Sequence, residues 1–177
     1  MKIFAFSGKA GSGKDTTAAF ATEYITEHGF SVLTIHYADL LKYICKPYFG
    51  WNGEKDEAGR QLLQTVGTDK IRKYDPDFWV RFVAELLSVF GDAYWDYVLI
   101  PDLRFPNELW VLRDFGFDVT HVRIERGDFE YVLTAEQRAH ASETALDNEV
   151  PDYILYNRHG LGELRDGIRK ILEEEMQ

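Results

Sequence analysis

The sequence predicts a three-layer α/β/α domain, built on a five-stranded, mainly parallel sheet with helices on both faces and a lid-like insertion. Three observations lead there. Short apolar runs alternate with helical periodicity along most of the chain. The first apolar run, Lys2 to Ser7, breaks into a glycine-rich loop that opens a helix. At 177 residues, 45% hydrophobic and 15% aromatic, the chain suits one compact domain with a sizeable core and is too short for two ordinary ones. Residues 1–177 are therefore read as a single domain.

The elements follow in order. Lys2 to Ser7 is a buried strand, and glycines from Gly8 to Gly13 end it before a helix from Lys14 to His28, closed by Gly29. Ser31 to Ala38 is β-rich, as is Tyr97 to Leu103, which Phe105-Pro106-Asn107 terminates. Val119 to Ile124 and Tyr153 to Tyr156 supply the fourth and fifth strands. Helical patterns lie between them at Asp39 to Tyr48, Glu57 to Lys73, Pro76 to Phe90, Asn107 to Phe115 and Leu161 to Glu175. Alternation of this kind indicates a parallel sheet covered on both faces. Two stretches break the rhythm: Gly50 to Glu57, and the long polar insertion Gly127 to Val150. Long ordered connections in compact domains are commonly lids or binding loops, so the lid is placed at about 127–150.

Charge limits the partners. A formal net charge of -10 disfavours a protein that coats nucleic acid, because a polyanion demands excess Lys and Arg. The anion handled is expected to be small. One cysteine, Cys45, excludes an internal disulfide, and its apolar neighbours suggest core rather than nucleophile. No apolar run approaches the roughly 20 residues of a membrane span. A cytoplasmic location without membrane contact is the expectation, and a homodimer is compatible with the sequence.

Gly8-Lys9-Ala10-Gly11-Ser12-Gly13-Lys14 fits the Walker A spacing of a glycine, four residues and Gly-Lys. Glycines allow the backbone to curl until successive N–H groups converge on an anion, the following helix aims its positive end there, and Lys14 adds a full charge. The alternative is a glycine-rich turn with a solvated lysine. A preceding strand and a following helix are the context the motif requires, so the fold class becomes that of a P-loop NTPase, with ATP as phosphate donor and Mg²⁺ as its counterion. Gly8, Ala10, Gly11, Ser12, Gly13, Lys14, Asp15, Thr16 and Thr17 are the expected nucleotide contacts. Asp15 departs from the usual Ser or Thr. It reads either as a carboxylate stabilising a helix N-terminus or as a direct or water-mediated Mg²⁺ contact, with Thr16 donating to a phosphate.

Val98-Leu99-Ile100-Pro101-Asp102 places an acid at the carboxyl end of an apolar strand, where parallel sheets present their ligand crevice. Asp102 is accordingly a metal or catalytic candidate. Arg104 follows it and can make bidentate contacts with phosphoryl oxygens. Glu108 reads equally well as a first-turn acid favourable to its helix. Phosphoryl transfer requires positioning and positive charge, so Arg123 and Arg126, where the fourth strand enters the insertion, are candidates to reach the ATP phosphates, although each also reads as a solvated arginine. His140-Ala141-Ser142-Glu143 reads as a polar loop with capping residues.

Together these residues resemble the phage-type deoxynucleoside monophosphate kinases of the nucleoside monophosphate kinase-like P-loop group. The resemblance rests on Gly8 through Thr16, Tyr37-Ala38-Asp39-Leu40-Leu41-Lys42, Leu63-Gln64 with Gly67-Thr68-Asp69, Asp77-Phe78-Trp79-Val80, Asp102 through Glu108, and His140 to Glu143. It implies ATP with Mg²⁺, a deoxynucleoside monophosphate acceptor, diphosphate as product, and host cytoplasm if phage-encoded. It also implies an acceptor region at about 39–80. Arg60, Arg72 and Arg104 would hold the acceptor phosphate, Gln64 a base edge and Trp79 the base or sugar, with Asp39, Lys42 and Glu143 as further substrate contacts. Lys14, Asp102, Arg104 and Arg126 would be catalytic, and Asp15 and Asp102 would bind the metal. Tryptophan in a Phe-Trp-Val run is also ordinary core. Two other readings stand beside this one: a kinase of another small phosphate such as phosphomevalonate, and a nucleotide-binding module without catalysis.

Overall fold

The computed structural model describes residues 1–54, 56–127, 134 and 138–176. Five strands form one sheet in the order β2-β3-β1-β4-β5, with every neighbouring pair parallel. They are β1 (Lys2–Ser7), β2 (Val32–Thr34), β3 (Tyr97–Ile100), β4 (Asp118–Glu125) and β5 (Tyr153–Tyr156). The helices are α1 (Lys14–Glu27), α2 (Ala38–Phe49), α3 (Glu57–Gln64), α4 (Phe78–Tyr94), α5 (Pro106–Asp114) and α6 (Leu161–Glu175). A π-helical segment, Thr65–Arg72, continues α3, and a short helical turn, Ala141–Thr144, precedes β5.

The two-residue alternation of β1 divides the core. Ile3 and Ala5 pack with Val98 and Ile100 of β3 against α2, α4 and α5, while Phe4 and Phe6 pack with Leu99, Val122 and Ile124 against α1 and α6. All are buried, as a parallel sheet covered on both faces requires. Cys45 is in the first core and is a free thiol.

Differences from the sequence-based element bounds have local causes. β2 is shorter than the predicted Ser31 to Ala38. Ile35 N still donates to Leu99 O, at 3.0 Å, but the next amides leave the sheet: His36 N donates to Asp39, and Tyr37 N and Ala38 N to Asp102. A distant carboxylate thus starts α2 and ends the strand. β3 stops at Ile100, although Leu103 N still reaches Phe6 O at 3.2 Å. The helix expected from Glu57 to Lys73 changes to wider π turns at Thr65.

Two glycines test the packing in opposite directions. A Cβ on Gly59 in α3 would lie 2.1 Å from Glu54 O and 2.9 Å from Trp51 Nε1, whereas a Cβ on Gly162 in α6 would meet nothing within 4 Å. In urea denaturation Gly59→Ala is expected to destabilise by about 1–3 kcal/mol through overpacking, despite alanine's better helix propensity. Gly162→Ala should stabilise by about 0.5 kcal/mol. Equal effects would show that the turn around Glu54 yields freely.

Candidate active site

β1 delivers the chain into the loop, and the neighbouring strand fixes its first residue. Gly8 has φ +140°, and a Cβ there would sit 2.4 Å from Ile124 O of β4, so no larger residue fits without moving backbone. Ser12 N closes the turn onto Lys9 O at 3.1 Å, and Gly13, in the left-handed region, starts α1. Lys14 is buried with Nζ donating to Gly8 O at 2.7 Å and Lys9 O at 3.0 Å. Burial first, then the nearby Arg104 cation, pushes its pKa down to about 8. Two side chains brace the loop from outside: Asn157 Nδ2 donates to Ser12 O and Arg126 Nη1 to Gly11 O, each at 2.9 Å. Ser12 Oγ is buried without a protein hydrogen-bond partner.

The first turn of α1 divides the expected contacts. Asp15 is exposed and lines a cavity, with Oδ1 3.2 Å from His36 Nε2. Thr16 is partly exposed. Thr17 corrects the expectation: it is fully buried and its hydroxyl donates to Gly13 O at 2.9 Å, so it faces the core rather than a phosphate.

The β3 end carries the second group. Asp102 accepts Tyr37 N at 2.9 Å on one oxygen and Ala38 N at 3.0 Å on the other, so its first task is to hold the start of α2. Each oxygen keeps a second lone pair. Glu108 is buried, and its carboxylate accepts Arg104 N at 2.7 Å and Phe105 N at 3.0 Å while pairing with Arg72 Nη2 at 2.7 Å. Burial raises its pKa and the Arg72 charge opposes that rise. Arg72 also stacks over the Phe105 ring, 4.0 Å from its centroid. Glu108 is therefore more than a first-turn acid. It joins the end of the π segment to the start of α5.

These elements enclose a cavity of about 440 Å³. Ala10, Gly11, Lys14 and Asp15 form one side, and Lys42, Arg60, Gln64, Thr68 and Arg72 face it from α2, α3 and the π segment. Leu41, Leu63, Trp79 and Phe105 add apolar lining, and Asp102, Arg104 and Glu143 complete the rim. Trp79 is mainly core, with Nε1 donating to Gly67 O at 3.0 Å. Asp39 is not among the lining residues; it accepts from Lys42 Nζ and His36 N, both at 3.0 Å.

A second cavity of about 370 Å³ lies across the loop, between Ser7 to Ser12 and the Ser142–Asp147 stretch. Arg104 Nη1 donates to Ser142 O at 3.1 Å and pairs with Glu143. Arg123 lines this cavity, but its Nη2 donates to the carbonyls of Leu146 and Glu149. This corrects the expectation that it points at phosphates: here it anchors the segment leading to β5. Of the lid expected at 127–150, residues 128–133 and 135–137 lie outside the described residues.

Lys9, His36 and Asn157 were missed by the sequence reading. Lys9 occupies a variable position of the loop, and its Nζ donates to Glu143 O at 2.6 Å. His36 and Asn157 follow β2 and β5 at the carboxyl end of a parallel sheet, and that placement was the available signal.

Lys14 gives a test with two readouts. Because its folded pKa lies below the unfolded value of 10.5, the unfolded chain binds more protons between pH 8 and 10.5, and stability should rise with pH in that window. Lys14→Met should flatten that rise, leave urea stability at pH 7 no lower, and reduce ATP-dependent turnover roughly 10²–10³-fold. Full turnover would remove the lysine from the phosphate site.

Among known proteins, a family model described as deoxynucleotide monophosphate kinase matches residues 35–168. The deoxynucleotide monophosphate kinase of Enterobacteria phage T4 is 31% identical over 124 residues, covering 69% of this chain and 48% of the relative. That of Escherichia phage RB69 is 31% identical over 115 residues, covering 64% and 44%. Uncharacterized protein ORF77 of Ictalurid herpesvirus 1 is 31% identical over 144 residues, covering 81% and 58%. The chain thus spans about half the length of the curated relatives it matches. In structure it is similar to the Mycobacterium tuberculosis APS kinase CysC, at TM-score 0.55 and 16% identity over 97% of this chain and 96% of that one. A sugar kinase from Janibacter sp. HTCC2649 gives 0.57 and 14% over 98% and 93%. These structural likenesses establish the P-loop α/β fold. The family match starts after the phosphate loop, yet covers α2, α3, the π segment, β3 and the Glu143 turn, which with that loop enclose the larger cavity; the chain belongs to the deoxynucleotide monophosphate kinase family.

Proposed function

We propose that this chain transfers the γ-phosphate of ATP to the phosphate of a deoxynucleoside monophosphate, releasing the diphosphate and ADP. The observation that carries the reading is the larger cavity, whose lining combines a Walker A lysine, three arginines, a glutamine and apolar side chains. Cations alone would suit any small phosphate. Leu41, Leu63, Trp79 and Phe105 line the same cavity as Gln64, and an apolar lining that carries one amide suits a nucleobase better than phosphomevalonate. In the domain so described, residues 39–80 hold the acceptor and the Ser142–Asp147 stretch belongs to the covering segment.

The chain's own groups have separable tasks. The loop amides and Lys14 hold the donor phosphates, Arg104 offers a planar fork to the transferring group, and Arg60 sits on the acceptor side. Arg72 is already paired with buried Glu108, so its contribution to an acceptor phosphate comes through charge and the cavity wall rather than a free fork. The chemistry fits a hard cation: Asp15 is an exposed carboxylate on the cavity beside Lys14, and Asp102 has lone pairs for a water-mediated contact. Mg²⁺ keeps several waters and needs one or two carboxylates plus substrate phosphates, a demand that Asp15 and Asp102 could meet. Mg²⁺ would neutralise charge on the phosphoryl oxygens.

A panel of monophosphates with ATP and Mg²⁺, read by ADP formation, tests the reaction. Deoxynucleoside monophosphates should exceed their ribose counterparts and phosphomevalonate should be inactive; turnover with phosphomevalonate alone would replace the nucleotide reading. Within the panel, Gln64→Ala should reorder the bases, whereas Arg60→Ala should raise KM for all of them alike by roughly 10- to 100-fold, since a phosphate contact carries no base information. Asp15→Ser should keep part of the activity and raise the Mg²⁺ concentration for half-maximal rate. An unchanged Mg²⁺ dependence would assign Asp15 to the helix N-terminus alone.

A further inference from the structure

The carboxylate of Glu143 lies where an anion belongs. Its side chain is 5% exposed, Oε2 accepts the Ala10 amide of the phosphate loop at 3.0 Å, and Oε1 pairs with Arg104. The same turn holds the neighbouring cations by its backbone. Glu143 O accepts from Lys9 Nζ at 2.6 Å, Ser142 O accepts from Arg104 Nη1 at 3.1 Å, and Asp147 pairs with Lys9. Glu143, Ser142, Ala10 and Arg104 line both cavities, so this contact stands at their junction.

Resting on the kinase reading of the site, we infer that Glu143 is an anion placeholder, a positioning residue whose carboxylate keeps the Ala10 amide and Arg104 converged on a negative charge, with Lys9 held beside them by its backbone carbonyl, until a polyphosphate replaces it. Converged donors repel one another when nothing negative lies between them, and Arg104 already disfavours the charged form of Lys14. One carboxylate relieves that repulsion. A triphosphate carries several negative charges and cannot share an amide with a carboxylate, so its arrival exchanges one anion for the other. Because the carbonyls holding Lys9 and Arg104 belong to the Glu143 turn, displacement of that turn also frees both cations for the incoming phosphates. The free enzyme therefore binds ATP more weakly than an open loop would, in proportion to the occupancy of the placeholder.

Binding of AMPPNP with Mg²⁺ by calorimetry, together with thermal melting, on the full chain of wild type, E143Q and E143D separates this from a structural role. Glu143→Gln keeps the shape and removes the charge. Its free form should melt a few degrees lower while AMPPNP binds roughly tenfold more tightly. Glu143→Asp, too short to reach both Ala10 and Arg104, should move both readouts in the same directions and serves if the glutamine variant does not fold. Unchanged or weaker AMPPNP binding by a folded variant overturns the placeholder. Tighter AMPPNP binding supports it even if no monophosphate in the acceptor panel were phosphorylated, a result that would count against the proposed acceptor alone.

Discussion

The site depends on holding positive charge together at one end of the sheet before any substrate neutralises it. Converged cations are costly in a partly dry cleft, and this chain meets that cost by placing carboxylates against most of them. Arg72 lies on Glu108, Arg104 on Glu143, Lys9 on Asp147 and Lys42 on Asp39, while His36 sits between Asp15 and Asp39. The pairs differ in permanence. Glu108 is fully buried and accepts two backbone amides besides its arginine, so removing either partner would leave a buried charge unpaired. Asp39 and Asp147 are half exposed, and solvent weakens such pairs enough for substrate to compete with them.

This pairing resolves an apparent conflict between composition and chemistry. A net charge of -10 sets the expectation against nucleic acid as a partner, but it says nothing about the field inside a cleft. Much of the acidity near the site is matched to particular cations, and the order β2-β3-β1-β4-β5 explains how these meet. β1 is central, so its carboxyl end borders those of β3 and β4, and residues far apart in sequence, such as Lys9 and Asp147, become neighbours.

What was legible in the sequence follows the same division. β1 and its loop could be read because strand, glycines and helix are contiguous, and their physics is local. β4, β5 and α6 were readable as apolar runs and helical periodicity. The end of β2 was not, because it is set by Asp102, which reaches back to Tyr37 and Ala38 from the end of β3. Arg123 looked like a phosphate ligand from its place at a strand end, yet its partners are carbonyls in a segment whose path no local pattern specifies. Thr17 was misplaced for a simpler reason. Helical phase turns it inward from a position adjacent to two exposed or half-exposed residues.

The π segment shows how a backbone irregularity can serve the site. In an α-helix each four-residue step overshoots a full turn by roughly 40°, so a row that starts at Arg60 and passes through Gln64 and Thr68 would leave Arg72 rotated by roughly 120° from its first member. Arg72 would then turn away from the cavity, and Glu108 would lose its cation. π turns close over a longer ring, so four residues no longer exceed a turn and the drift stops where the segment begins, at Thr65. Arg60, Gln64, Thr68 and Arg72 accordingly all line one cavity. The wide turns also bring Gly67 against Leu41, where a Cβ would approach Leu41 Cδ2 to 2.6 Å. A glycine at this position lets α2 pack closely enough to carry Lys42 to the same wall. Periodicity alone reads this stretch as ordinary helix; the irregularity becomes intelligible only through the buried carboxylate that Arg72 must reach.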